Sequence, residues 1–94
     1  MKHYIAVIVP HAENGWRVQF PDLPGCRAEA EDVEIAIARA TDSASELVGR
    51  LRLNGGAPVP RTLEEIHADE AWTAEHSIDW RRALVSIVNV SVPT

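Results

Sequence analysis

An α+β fold of two layers, with elements ordered β-β-β-α-(α)-β, is what this sequence predicts, and three observations predict it. Trp16, Val18 and Phe20 alternate with Arg17 and Gln19, so an extended chain sets three large apolar groups on one face and polar groups on the other. Val33, Ile37, Ala40, Ala44, Leu47 or Val48, and Leu51 recur at spacings of three and four, which makes one amphipathic helix of about five turns. Two β-branched runs, Tyr4 to Val9 near the start and Leu84 to Val92 near the end, supply the flanking strands.

The first strand, His3 to Val9, is apolar on both faces and so belongs inside a sheet, with Pro10 as its stop. Asn14-Gly15 is the expected tight turn of a hairpin leading into the Trp16 strand. That strand ends at Phe20, because Pro21 and Pro24 remove backbone donors and fix φ, while Gly25 can take positive φ. Asp22 is placed to accept hydrogen bonds in the turn. Cys26 to Ala30 reads as a short third strand. Asp32 is a good helix N-cap and Glu34 complements the first turn of the helix dipole. The small Ala40 and Ala44 allow a close approach of helix to sheet, where Trp16 and Phe20 fill the gap. Asn54-Gly55-Gly56 ends the helix.

Pro58 and Pro60 keep the next stretch extended. Thr62 with Glu65 forms a capping box, which starts a short helix at Leu63 that ends before Trp72. Thr73 to Asp79 is polar enough for a loop, and the last strand runs from Ala83 to Val92. A right-handed helical crossover from the third strand is expected to bring this last strand in parallel beside the first, next to three antiparallel strands. Leu84, Val88, Val90 and Val92 point one way on it, and Val85 and Ile87 the other. An edge strand apolar on both faces invites pairing with another chain, so a homo-oligomer, dimer or tetramer, is expected through Leu84, Val85, Ile87, Val88 and Val90.

Ninety-four residues make one domain, 1–94, able to bury about two thirds of its unfolded surface. Nine Lys and Arg against fourteen Asp and Glu leave a net charge of −5, which suits a basic partner and not a phosphate backbone. Cys26 is the only cysteine, so no internal disulfide forms and a reducing cytoplasm fits. No apolar run reaches the roughly 18 residues of a membrane span, and the N-terminus has no long apolar core of a signal peptide.

Little in the chain points to catalysis. Two-metal cleavage of nucleic acid needs carboxylates converging from several strands, and the first and last strands carry none. His3, His11, His67 and His76 show no metal-ligand spacing with one another or with Cys26, whose only basic sequence neighbour is Arg27. No Ser/His/Asp order and no phosphate-cradling glycine loop is present. The expectation is therefore no enzyme, no catalytic residue, no cofactor and no metal. Single Phe and Tyr residues give no base-stacking platform, and Trp80-Arg81-Arg82 reads as a strand-start anchor.

Tyr4-Ile5-Ala6-Val7-Ile8, the run Val18-Gln19-Phe20-Pro21-Asp22-Leu23-Pro24-Gly25-Cys26, the acidic helix start Asp32-Val33-Glu34, the Pro58-Val59-Pro60 segment and Leu63-Glu64-Glu65-Ile66 together resemble the HicB-like antitoxin family over nearly the whole chain. The resemblance implies a partial ribonuclease H-like fold, with the fourth strand next to the first. It implies an antitoxin of a type II toxin–antitoxin pair that binds and inhibits a small basic HicA-like mRNA ribonuclease. The residues expected to contact such a toxin are Asp22, Leu23 and Pro24 on the turn, with Glu29 and Glu31, since acids near an exposed turn can pair with toxin cations. Most family members continue into a helix-turn-helix or ribbon-helix-helix segment. This chain shows none up to Thr94, so no direct DNA binding by it is expected. The alternative is a stand-alone oligomeric domain that binds nucleic acid or a small ligand.

Overall fold

The computed structural model describes residues 2–53 and 55–90. Among them, β1 (Lys2–His11), β2 (Gly15–Gln19) and β3 (Arg27–Ala30) precede a long helix, α1 (Val33–Leu53). Two short helices, α2 (Leu63–Ala68) and α3 (Glu70–Glu75), and a last strand, β4 (Leu84–Val90), follow. The strands form one sheet in the order β3-β2-β1-β4.

Every neighbouring pair in that sheet is antiparallel, which overturns the expected parallel pairing of the last strand with the first. Ile8 lies opposite Leu84 and Lys2 opposite Val90. The cause is the crossover, which passes along the sheet twice. α1 carries the chain from the end of β3 back to the end of the sheet where β1 starts, and there the Tyr4 hydroxyl donates to the Pro58 carbonyl at 2.6 Å. The segment through α2 and α3 then runs back over the opposite face, so that His76, Ser77 and Asp79 lie against Val9 and His11 at the far end of β1. β4 therefore enters where β1 finishes.

The same path corrects the two-layer expectation. On one face Tyr4, Ala6, Ile8, Val18, Phe20, Val88 and Val90 pack under Ala36, Ala40, Ala44 and Val48 of α1, with Trp16, Val33, Ile37 and Leu47 half-buried around them. Small residues at the helix positions closest to the sheet let it sit close, as the spacing predicts. On the other face Ile5 and Val7 pack against Ile66 and Ile78, ringed by Val9, Leu63, Trp72, Trp80 and Ala83. This second cluster explains why β1 is apolar on both sides: each side has its own helical cover.

Local details follow sequence chemistry, with adjustments: Pro10 does not stop β1, which continues through it to His11 and pairs there with β2. The hairpin between β1 and β2 turns over residues 12–14, with the left-handed conformation at Ala12 (φ 57°) and not at Gly15. Gly15 instead stands opposite His11 in the ladder, where a Cβ would come within 2.8 Å of the His11 carbonyl oxygen. The helical stretch after Thr62 is broken in two by Asp69, the C-cap of α2 and the N-cap of α3, and α3 takes Thr73 to Glu75 out of the expected loop. Within the remainder of that loop, Ile78 is buried. Gly55 and Gly56, at φ 112° and 108°, turn the chain after α1, and the Gly56 amide donates to the Leu51 carbonyl at 2.7 Å. Asn54 and Val92 lie outside the described residues. No helix among the described residues is long and apolar enough to cross a membrane.

Candidate binding surface

The turn after β2 is closed on itself by backbone hydrogen bonds from Leu23 to Phe20, Cys26 to Leu23 and Phe20 to Cys26, at 3.0, 3.1 and 3.3 Å. Gly25, at φ 87°, gives it the one left-handed residue it needs. Asp22 faces inward: its carboxylate accepts from the Arg61 backbone N–H at 2.8 Å and from the Arg61 guanidinium. Arg61 reaches on to Asp69 at 3.0 Å. The turn is thereby stapled across 39 residues to the start of α2 and the cap of α3. The two carboxylates hold the Arg61 guanidinium pKa above its ordinary value.

This arrangement decides which of the expected contact residues reach the surface. Leu23 is fully buried in the α1-side core, and the side chain of Asp22 is 6% exposed with its charge met by Arg61, so neither presents itself to a partner. Pro24, Glu29 and Glu31 are exposed. Glu29 sits between His11 Nε2 at 3.0 Å and Arg17 Nε at 3.5 Å, and Arg17 also meets His11 Nδ1 at 2.8 Å. Glu13, Glu29 and Glu31 line one open cleft between the hairpin loop and the end of β3. Of the five expected strand contacts, Val88 and Val90 belong to the core, while Leu84, Val85 and Ile87 are 50%, 39% and 69% exposed on the edge strand. Val88 and Val90 share the face of β4 that α1 covers; Leu84, of the same parity but at the start of the strand, lies outside that core cluster, and Val85 and Ile87 point to the other face.

A second depression, of about 450 Å³, opens between the turn and α3. Gln19, Pro24, Arg27, Trp72, Glu75 and His76 contribute to its lining, with Cys26 beneath. Cys26 is buried, its Sγ set 3.6 Å from the Ser43 carbonyl, and burial pushes its thiol pKa up, which leaves it inert. Gln19 is 4% exposed; its Nε2 donates to His76 Nδ1 at 3.0 Å, and its Oε1 is buried with no hydrogen-bond partner. The Trp72 and His76 rings lie 5.0 Å apart. The alternation of β2 places Gln19 on a polar face, but its partner comes from 57 residues away, and no spacing in the chain announces that. Among the described residues, no group of three or more His, Cys, Asp or Glu side chains gathers as a metal site requires.

A family model described as the HicB-like antitoxin of bacterial toxin–antitoxin systems matches residues 4–93. This chain belongs to the HicB-like antitoxin family. Its fold agrees with that of two solved structures from Burkholderia pseudomallei. The N-terminal domain of the antitoxin HicB superposes with a TM-score of 0.71 at 20% identity, over 96% of this chain and 99% of that one. The antitoxin HicB itself gives 0.70 at 21% identity, over 99% of this chain and 63% of that one. This HicB-like chain thus spans about two thirds of the HicB structure. No curated protein sequence matches it. In this family member the Phe20 to Cys26 run is a self-closed turn anchored by Asp22 to Arg61, so the motif that carries the resemblance is first of all structural.

Proposed function

We propose that this chain is the antitoxin half of a type II toxin–antitoxin pair, and that it binds and silences a small basic HicA-like mRNA ribonuclease in the cytoplasm. The observation that carries the reading is the family match over residues 4–93. The net charge of −5 and the cleft lined by Glu13, Glu29 and Glu31 support it, since acids around an open surface attract and orient a cationic partner. Pro24, Glu29 and Glu31 are the proposed toxin contacts. The chain acts by covering its partner's surface and contributes no catalytic group, metal or cofactor. A second copy pairs along the outer side of β4, where Leu84, Val85 and Ile87 are exposed.

Co-expression with the small basic open reading frame adjacent to the gene tests the reading. The expected result is a stoichiometric complex at low salt that weakens at least about tenfold on reversing charge with Glu29→Arg plus Glu31→Arg. Failure of the neighbour to co-purify at any ionic strength would overturn it.

A further inference from the structure

The tip of the first hairpin holds the reactants of a change that the chain can make to itself. Asn14 is exposed, and among the described residues no hydrogen bond engages its side chain. Gly15 follows it, and with no Cβ there the Gly15 backbone nitrogen is open to the carbonyl carbon of the Asn14 side chain. The fold asks for that glycine, since a Cβ would meet the His11 carbonyl oxygen at 2.8 Å. A side chain at position 15 strains the ladder, so the Asn-Gly pair is built into the hairpin.

The reaction open to such a pair is deamidation. Base removes the Gly15 amide proton, the nitrogen lone pair attacks Asn14 Cγ, and the bond from Cγ to Nδ2 breaks. Ammonia leaves and a five-membered succinimide closes. One water then opens the ring. Opening at Cγ gives aspartate, whereas opening at the main-chain carbonyl gives isoaspartate, whose backbone runs through Cβ and is one methylene longer. One water is consumed and one ammonia released, with no oxidant, metal or second protein.

The ladder restrains Gly15 only lightly. Its pairing with His11 is the final one that β1 makes with β2, and β3 joins β2 only from Trp16 onward. Terminal pairs open at low cost in free energy. Ala12, held at φ 57° in the same loop, adds strain that opening relieves.

We propose that Asn14 is a self-modification site, converted in the folded chain to aspartate and isoaspartate. The conversion adds a carboxylate to the cleft that Asn14 lines with Glu13, Glu29 and Glu31, and one more negative charge to a chain of net charge −5. Any consequence for toxin binding rests on the antitoxin reading of that cleft; the reaction itself does not.

The test is incubation of the purified full chain at mildly alkaline pH, followed by tryptic mapping. The peptide of residues 3–17 gains the mass of an amide turned into an acid, separates into two products and takes up one solvent oxygen from heavy-oxygen water. Its conversion runs within about tenfold of that of a synthetic peptide of residues 9–19, because opening a terminal ladder pair slows it by no more than this. Asn14→Gln, which would have to close a larger ring, leaves the peptide unmodified, and Asn14→Asp co-elutes with one of the two products. Asn54-Gly55, a second such pair in the sequence, falls in a separate tryptic peptide and is scored apart. Intact Asn14 once the synthetic peptide has fully converted, or a mass gain in the same peptide that survives Asn14→Gln, overturns the proposal. Conversion in a chain whose neighbouring gene product does not bind supports the modification and removes the antitoxin reading alone.

Discussion

At the scale of single residues, Asp22 and Gly15 show where reading from neighbours in sequence stops. Asp22 is recognisable as a turn acceptor, but its hydrogen bonds go to Arg61, and a contact across 39 residues leaves no periodic trace. Asp22→Ala is expected to cost about 1–3 kcal/mol, since it removes a charged acceptor from a mostly buried pair, and a lowered urea midpoint at unchanged slope would register the loss. Gly15 is legible as a special position, though for the wrong reason. What makes it glycine is close approach to the His11 carbonyl and not positive φ. Gly15→Ala should therefore lower stability by about 1–3 kcal/mol in the same assay, while Gly25→Ala, with open space around its Cβ position, suffers only from its φ of 87°.

Elements were legible where the signal is local. The apolar spacing of α1, its Asp32 cap, with Asp32 accepting from the Glu34 and Ile35 amides at 2.8 and 3.2 Å, and the Thr62 capping box all reappear in the structure. α3 was not legible, because a six-residue helix capped by Asp69 and followed by a polar stretch reads as loop. Its cap makes an acid-sensitive joint. The Trp72 amide, then Arg61, hold the Asp69 carboxyl below its ordinary value of 3.8, and the Thr62 amide holds Glu65 below 4.5. A carboxylate depressed in the folded state stabilises it fully above the unfolded value, and that contribution is lost as pH falls through the folded value. Thermal melting should thus drop on acidification below about pH 4.5, and Asp69→Asn with Glu65→Gln should flatten that drop. On α1, Ala44→Leu is expected to cost about 1–3 kcal/mol by pushing the helix off the sheet, measurable by denaturant unfolding.

At the scale of the molecule, the order of elements and the adjacency of the last strand to the first could be anticipated, but the direction of that strand could not. A single helical crossover predicts a parallel neighbour; only the return of the chain across the second face, read from the Ile66 and Ile78 contacts, makes it antiparallel. The edge position of β4 follows, and with it the expectation that Ile87→Glu reduces any dimer to a monomer in sedimentation without loss of fold, since Ile87 is 69% exposed.

The central claim, that this chain silences a ribonuclease, is tested most directly by titrating it into an RNA-cleavage reaction of the adjacent small basic protein. Cleavage is expected to fall in proportion to added protein and to end at a fixed molar ratio, with Glu29→Arg plus Glu31→Arg shifting the curve to higher concentration. Cleavage that continues undiminished in the presence of excess folded protein would contradict it.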